Sequence, residues 1–306
     1  MAGSTRTTTV VDDRHRATPL GDHGPFEELE VGASRTPIDR PLMTFFIATV
    51  ALGWLLTIIS AQVASNPILL PLIAIPVSYV PAIMAWVVLR ATGTPEELDA
   101  WRYRLTRVRV GWRWYAVGIV ALPSVHLVGV GLATLIGGAF PFHPLLLTLF
   151  PLFLLTNVGE EIGWRGYALP KLQERMSPLA SALVVGAIWG AFHWVALAGN
   201  ADAPLAYMAV STAHLVAISV IMTWIFNGSG QSVLAVAVAH AAYDTVAIGV
   251  APLIETTVPL LAFSITAIVA WLVVVVLVAR TGTELGRMPS TSWAGSRRLG
   301  MDARVP

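Results

Sequence analysis

Eight apolar stretches, each free of lysine and arginine, limit what this chain can fold into more than any other feature. They are Leu42–Ala64, Pro67–Leu89, Trp114–Phe140, Pro144–Val158, Pro178–Ala198, Pro204–Phe226, Ser232–Val250 and Val258–Ala279. A helix needs about 20 mostly apolar residues to cross the hydrocarbon layer. Each stretch therefore reads as a membrane-spanning helix, and the chain as an all-α, polytopic bundle of about eight spans. The fourth stretch is short and runs into Glu160 and Glu161. Its helix is expected to continue while its surroundings turn polar.

The cations agree with this count. All 19 Lys and Arg fall outside the eight stretches. Five lie before the first, six between the second and third, three between the fourth and fifth, and five after the eighth. With eight spans, all of these segments face one side. Positively charged loops stay in the cytoplasm, so both termini are expected there, with the chain in the inner (cytoplasmic) membrane. Composition excludes a soluble domain: only 12% of residues are charged and 56% are hydrophobic, against about 25% charged in a typical soluble domain. There is no cysteine, which removes disulfides, thiolate metal sites and a cysteine nucleophile. Net charge is +1, too small for a field that gathers nucleic acid.

Three regions follow. Residues 1–41 form a polar N-terminal tail without apolar periodicity and are expected to be disordered. Residues 42–280 form the membrane domain, and 281–306 a second disordered tail. No basic start followed at once by an apolar stretch is present, so no cleavable signal peptide is expected. Residues 101–114, WRYRLTRVRVGWRW, alternate arginines with aromatics and suit the headgroup surface. Anionic lipid accounts for that basic stretch without any nucleic-acid partner.

Ionisable residues inside spans are costly, about 2.5–3.5 kcal/mol near a helix centre on insertion scales. Those present are candidates for function. Glu161 and Arg165 are four apart and share a helix face, so they are expected to pair. Glu160 points about 100° away and is left for chemistry. His193 is a candidate base, a partner to one, or a metal ligand, and Trp189 lies one turn before it as a pocket wall. His240 and Asp244 also share one face. Asp244 has no cation in the apolar spans, so protonation, a hydrogen bond from His240, or a metal would explain it. His126 and His214 have no acidic or histidine neighbour at helical spacing and are assigned to structure, though either could line a polar cavity. Glu160, His193, His240 and Asp244, converging in a cavity, could activate water directly. Glu160, His193 and His240 could instead hold one zinc ion with an open position. The residues alone leave both open.

This ordered set resembles the CAAX-protease and bacteriocin-processing (CPBP, or Abi) family of intramembrane proteases, which includes the type II CAAX prenyl endopeptidases. The first family motif, Glu-Glu-x-x-x-Arg, is matched by Glu160, Glu161 and Arg165, followed by Gly166 and Tyr167. The second ends in a histidine four residues after an aromatic or apolar residue and is matched by Trp189 and His193, with tryptophan where phenylalanine is commoner. The third, His-x-x-x-Asn/Asp, is matched by His240 and Asp244. The likeness covers residues 144–250. It implies a membrane endopeptidase acting on a membrane-associated peptide or protein. In that reading Glu160 and His193 activate water, while His240 and Asp244 assist on the oxyanion side. Glu161, Arg165 and Trp189 support the site, and no cofactor is needed, zinc being the alternative. The bilayer and the peptide substrate are the expected partners, and no oligomeric state is assigned. The nearly lysine-free composition (Lys171 is the single lysine) points to a bacterial source. The rival readings are a non-catalytic immunity or scaffold protein and a proton-coupled carrier. Inverted repeats or matching broken spans would favour the carrier, and the sequence has neither.

Overall fold

The computed structural model describes residues 1, 3, 38–62, 69–135, 144–198, 204–250 and 259–287. The chain divides into two units at Thr36 and Pro37. All of the first unit except Met1 and Gly3 lies outside the described residues, as does 288–306, so the two expected tails fall largely there. The second unit carries the helices. They are α1 (Arg40–Ala61), α2 (Leu69–Thr92), α3 (Pro95–Thr106), α4 (Trp112–Thr134), α5 (Phe150–Gly163), α6 (Leu169–Gln173), α7 (Pro178–Phe192), α8 (Trp194–Ala198), α9 (Pro204–Gly228), α10 (Val233–Val250) and α11 (Pro259–Thr281). No strand occurs among the described residues.

The protein is an all-α, polytopic membrane protein. Among the described residues, five helices are long and apolar enough to cross a membrane by length and composition: α1, α2, α4, α9 and α11. The other three expected spans are shorter or composite. The seventh is α10. The fifth is α7 followed by α8, broken at His193. The fourth begins as a 3-10 turn over Pro144–Leu149, continues as α5, passes through a π turn at Trp164–Ala168 and ends as α6. It does run on past the glutamates, as its sequence suggested.

Several starts are written in the sequence. Asp39 caps α1 by accepting from the Leu42 amide at 3.0 Å, with Pro41 in the first turn. Thr94 and Glu97 form a reciprocal capping box at α3, which satisfies two amides the helix cannot. Ser177 accepts from the Ala180 amide ahead of Pro178 in α7.

The basic segment after α2 differs from its expectation in one respect. Trp101 and Arg104 of α3 turn inward rather than toward headgroups. The Trp101 indole donates to the Ile162 carbonyl at 3.3 Å and Arg104 Nη1 to the Gly166 carbonyl at 3.1 Å. A π turn disturbs the regular ladder of the helix it interrupts; one of these donors lands two residues before it and the other on its central residue. Burial pushes the Arg104 guanidinium down to about 10.

Helix α5 packs on α2 and α10, α10 on α4, α4 on α11, α11 on α9 and α9 on α7. The α2–α5 approach is close because Gly159 and Gly163 face α2. A Cβ on Gly163 would stand 2.4 Å from Pro81 Cβ, and one on Gly159 2.7 Å from the Tyr79 ring. Small residues let spans approach to backbone contact. The two carboxylates between these glycines are thereby carried into the bundle.

Past Ala279 the chain stays packed to Arg287. Leu285 is fully buried, Asn227 donates to its carbonyl at 3.4 Å, and Arg287 Nη1 donates to the Gln173 carbonyl at 2.6 Å. The first residues of the expected C-terminal tail thus belong to the bundle.

Candidate active site

Three helices bring the motif residues together: α5 with its π turn, α7 with its C-cap, and α10. Glu160 is 7% exposed and Glu161 fully buried. The pair divides as the 100° offset required. Glu161 Oε1 accepts from Arg165 Nη1 at 2.8 Å and faces His240 Nδ1 at 2.9 Å. Glu160 Oε2 accepts from the Trp189 indole Nε1 at 2.8 Å. Glu161 therefore does more than neutralise Arg165, since it also orients the His240 ring.

Trp189 touches most of the cluster. Its indole N–H holds Glu160. Its ring lies 5.0 Å from the Arg165 guanidinium carbon, a cation–π contact, and meets the His240 ring edge-on at 5.1 Å between centroids. The expectation of a pocket wall captured its position and missed its hydrogen bond.

His193 does not sit in the run of a continuous helix. Helix α7 ends at Phe192 and His193 is its C-cap. Its Nδ1 lies 2.8 Å from the Trp189 carbonyl. A carbonyl can only accept, so Nδ1 carries the proton, and the neutral ring keeps Nε2 as an acceptor.

On α10, His240 Nε2 faces Asp244 Oδ2 at 3.4 Å. The nearer partner of that oxygen is Asn157 Nδ2 at 2.7 Å. Asn157 was not among the sequence candidates. It lies three residues before Glu160 in a stretch read for its charges, and a neutral amide gives no such signal.

These groups line one cavity of about 340 Å³. Its walls include Glu160, Trp189, His193, His240 and Asp244, and also His126, Ser211, His214 and Tyr243. His126 and His214, assigned to structure with a place on a polar cavity left open to either, are thus among its walls. Spacing along one helix could not reveal them, because they converge from α4 and α9. His214 Nε2 lies 2.6 Å from the Tyr243 hydroxyl.

In the set Glu160, His193 and His240, most of the atoms a zinc ion would use already face partners. Both His240 nitrogens face carboxylates, and Glu160 Oε2 and His193 Nδ1 are engaged by Trp189. Among the described residues, no group of three or more His, Asp or Glu side chains could hold a metal.

The fold and cavity define a polytopic membrane protein with carboxylates and imidazoles gathered inside its bundle. Residues 141–246 match the family model of the type II CAAX prenyl endopeptidase, Rce1-like, proteins. The part of the chain that carries the site is thus similar to CPBP/CAAX-protease-family proteins. Over 133 residues the chain is 26% identical to CAAX prenyl protease 2 of Methanococcus maripaludis, an alignment covering 40% of this chain and 49% of that relative. The chain thus spans about half the length of the curated relative it matches.

Proposed function

We propose that the protein is an intramembrane endopeptidase of the glutamate type, hydrolysing a peptide bond of a membrane-associated peptide or protein. The observation that carries this reading is Glu160. It is a nearly buried carboxylate, aimed by the Trp189 N–H, in a cavity it shares with His193, His240 and Asp244.

In the proposed reaction, a water is held between Glu160 and His193 Nε2. Glu160 takes a proton from it as the water oxygen attacks the scissile carbonyl carbon. The carbonyl oxygen becomes the oxyanion of a tetrahedral intermediate and is met on the His240–Asp244 side. Asn157 and His240 occupy Asp244 Oδ2, which leaves Oδ1 as the atom that carries a proton and donates. The intermediate collapses with cleavage of the C–N bond, and Glu160 returns its proton to the departing amine. Water, one carboxylate base and this chain's own donors suffice, so the reading needs no metal.

The sidedness of the cations supports placing both termini in the cytoplasm and the chain in the inner membrane. The deciding experiment compares membrane-derived peptides from cells carrying the protein or Glu160→Gln at matched expression. Peptides released only by the unchanged protein are the expected result. Identical peptide sets, with protection against a peptide toxin retained in Glu160→Gln, would overturn proteolysis in favour of a binding role in immunity.

A further inference from the structure

The cavity has a second polar end that the reaction leaves unused. His126 of α4, 4% exposed, has no hydrogen-bond partner on either ring nitrogen. Ser211 and His214 of α9 are 2% and 0% exposed, and the Ser211 hydroxyl and His214 Nδ1 also lack partners. All three residues line the cavity. Rings enclose this end. His126 and His214 stand 6.5 Å apart between centroids, Tyr243 lies 5.8 Å from His126, and Phe263 lies 5.3 Å from His214. Buried polar atoms are rarely left unpaired without a reason. Four such atoms facing one space are explained by something that enters it.

The chemistry of these atoms narrows what enters. A neutral imidazole has one donor and one acceptor nitrogen. His214 Nε2 is engaged by the Tyr243 hydroxyl, so its Nδ1 takes whichever role Nε2 does not. Ser211 both donates and accepts. No Lys or Arg lines the cavity, while Glu160 and Asp244 do. An anion would therefore meet the Glu160 carboxylate with no Lys or Arg to offset it. A purely apolar group would leave all four atoms unpaired, which a site built for hydrogen bonding penalises.

We propose that His126, Ser211 and His214 form a specificity subsite. It takes a neutral group that both donates and accepts hydrogen bonds, a hydroxyl or carboxamide side chain of the peptide. This rests on the protease reading for its purpose, since the subsite then fixes which residue lies beside the scissile bond. Its occupancy does not depend on turnover.

The test measures binding on the full-length protein in lipid nanodiscs, with 15N-labelled histidine. The His126 and His214 signals are assigned with His126→Phe and His214→Phe. The probes are the N-acetyl amides of threonine, asparagine, valine and lysine, and N-acetylaspartate. Threonine and asparagine amides are expected to shift both signals at concentrations at least about ten-fold lower than valine amide, the isostere lacking a hydroxyl. Ser211→Ala, which leaves both rings in place, is expected to narrow that gap. The subsite is overturned if valine amide binds as well as threonine amide. It is overturned equally if aspartate or lysine shifts the signals most, or if no probe shifts them and the atoms face solvent only. Loss of peptide release in Glu160→Gln bears on the protease reading alone, so the two ideas fail separately.

Discussion

At the scale of the residue, Trp189 separates this site from a generic one. Phenylalanine is commoner at its place in the resembling family, and phenylalanine cannot donate. The indole adds a hydrogen bond to a carboxylate that is 7% exposed and, among the described residues, accepts no other side-chain N–H. Hydrogen bonds to charged groups contribute about 1.5–3 kcal/mol, close to a factor of ten or more in rate. Trp189→Phe keeps an aromatic face beneath Arg165 and removes only the donor and some volume. Turnover measured on the protein's own substrate should fall about ten-fold, with KM nearly unchanged and the fold retained. A variant as fast as the parent would mean that Glu160 is positioned without the indole. What the sequence could reveal at this scale was whatever stood out by charge or by spacing in one helix. The Glu161–Arg165 pair and the His240–Asp244 face were legible for that reason. The Asn157–Asp244 bond joins residues 87 positions apart, and no local rule anticipates it.

At the scale of the element, the site depends on how closely α5 lies against α2. The Gly163 Cα faces the Pro81 backbone, with the carbonyl carbon and oxygen 2.5 Å from where a Cβ would be. Backbone cannot swing aside as a side-chain end does, so α5 would have to retreat and draw Glu160 and Glu161 with it. Gly163→Val is expected to cost about 1–3 kcal/mol through overpacking. The readout is a lower thermal unfolding midpoint in detergent, accompanied by loss of cleavage. Gly131→Val, where no atom lies within 4 Å of the new Cβ, is the matched change expected to leave the midpoint alone. An equal effect at both positions would remove close packing as the cause. Existence of the helices was readable from apolar run length. Their interruptions were not. The π turn at Trp164–Ala168 and the break at His193 carry no proline at the point of change and arise from tertiary packing and from side chains that reach backbone carbonyls.

At the scale of the whole molecule, ion pairs tie segments distant in sequence at one end of the bundle. Asp39 at the start of α1 meets Arg175 at 2.6 Å, and Glu97 of α3 meets Lys171 of α6. Burial acts to raise the Asp39 carboxyl, but the Leu42 amide and Arg175 outweigh it and hold the group below the usual carboxylate range. Glu97 follows the same pattern: burial raises it, and Lys171 and the Thr94 amide bring it lower. A carboxyl lowered by folding stabilises the fold above its unfolded pKa, near 4, and that contribution disappears as pH falls through the lower folded value. The unfolding midpoint should thus be flat from about pH 7 to 5 and drop below about 4. In Asp39→Asn/Glu97→Gln the drop should be smaller, and an identical acid profile would exclude these pairs as its source. The sidedness of the cations, legible from sequence, anticipated that the charged segments gather together but not which carboxylates they meet.

Helix α7 has 15 residues, and at 1.5 Å per residue it extends about 22 Å, short of the roughly 30 Å thickness of hydrocarbon. A helix that cannot reach across draws the headgroup boundary inward or thins the bilayer beside it. This short helix carries Trp189, and His193 caps its end. Where α7 stops, the bilayer is therefore expected to thin, which would shorten the dry distance between the aqueous phase and the carboxylate that Trp189 holds.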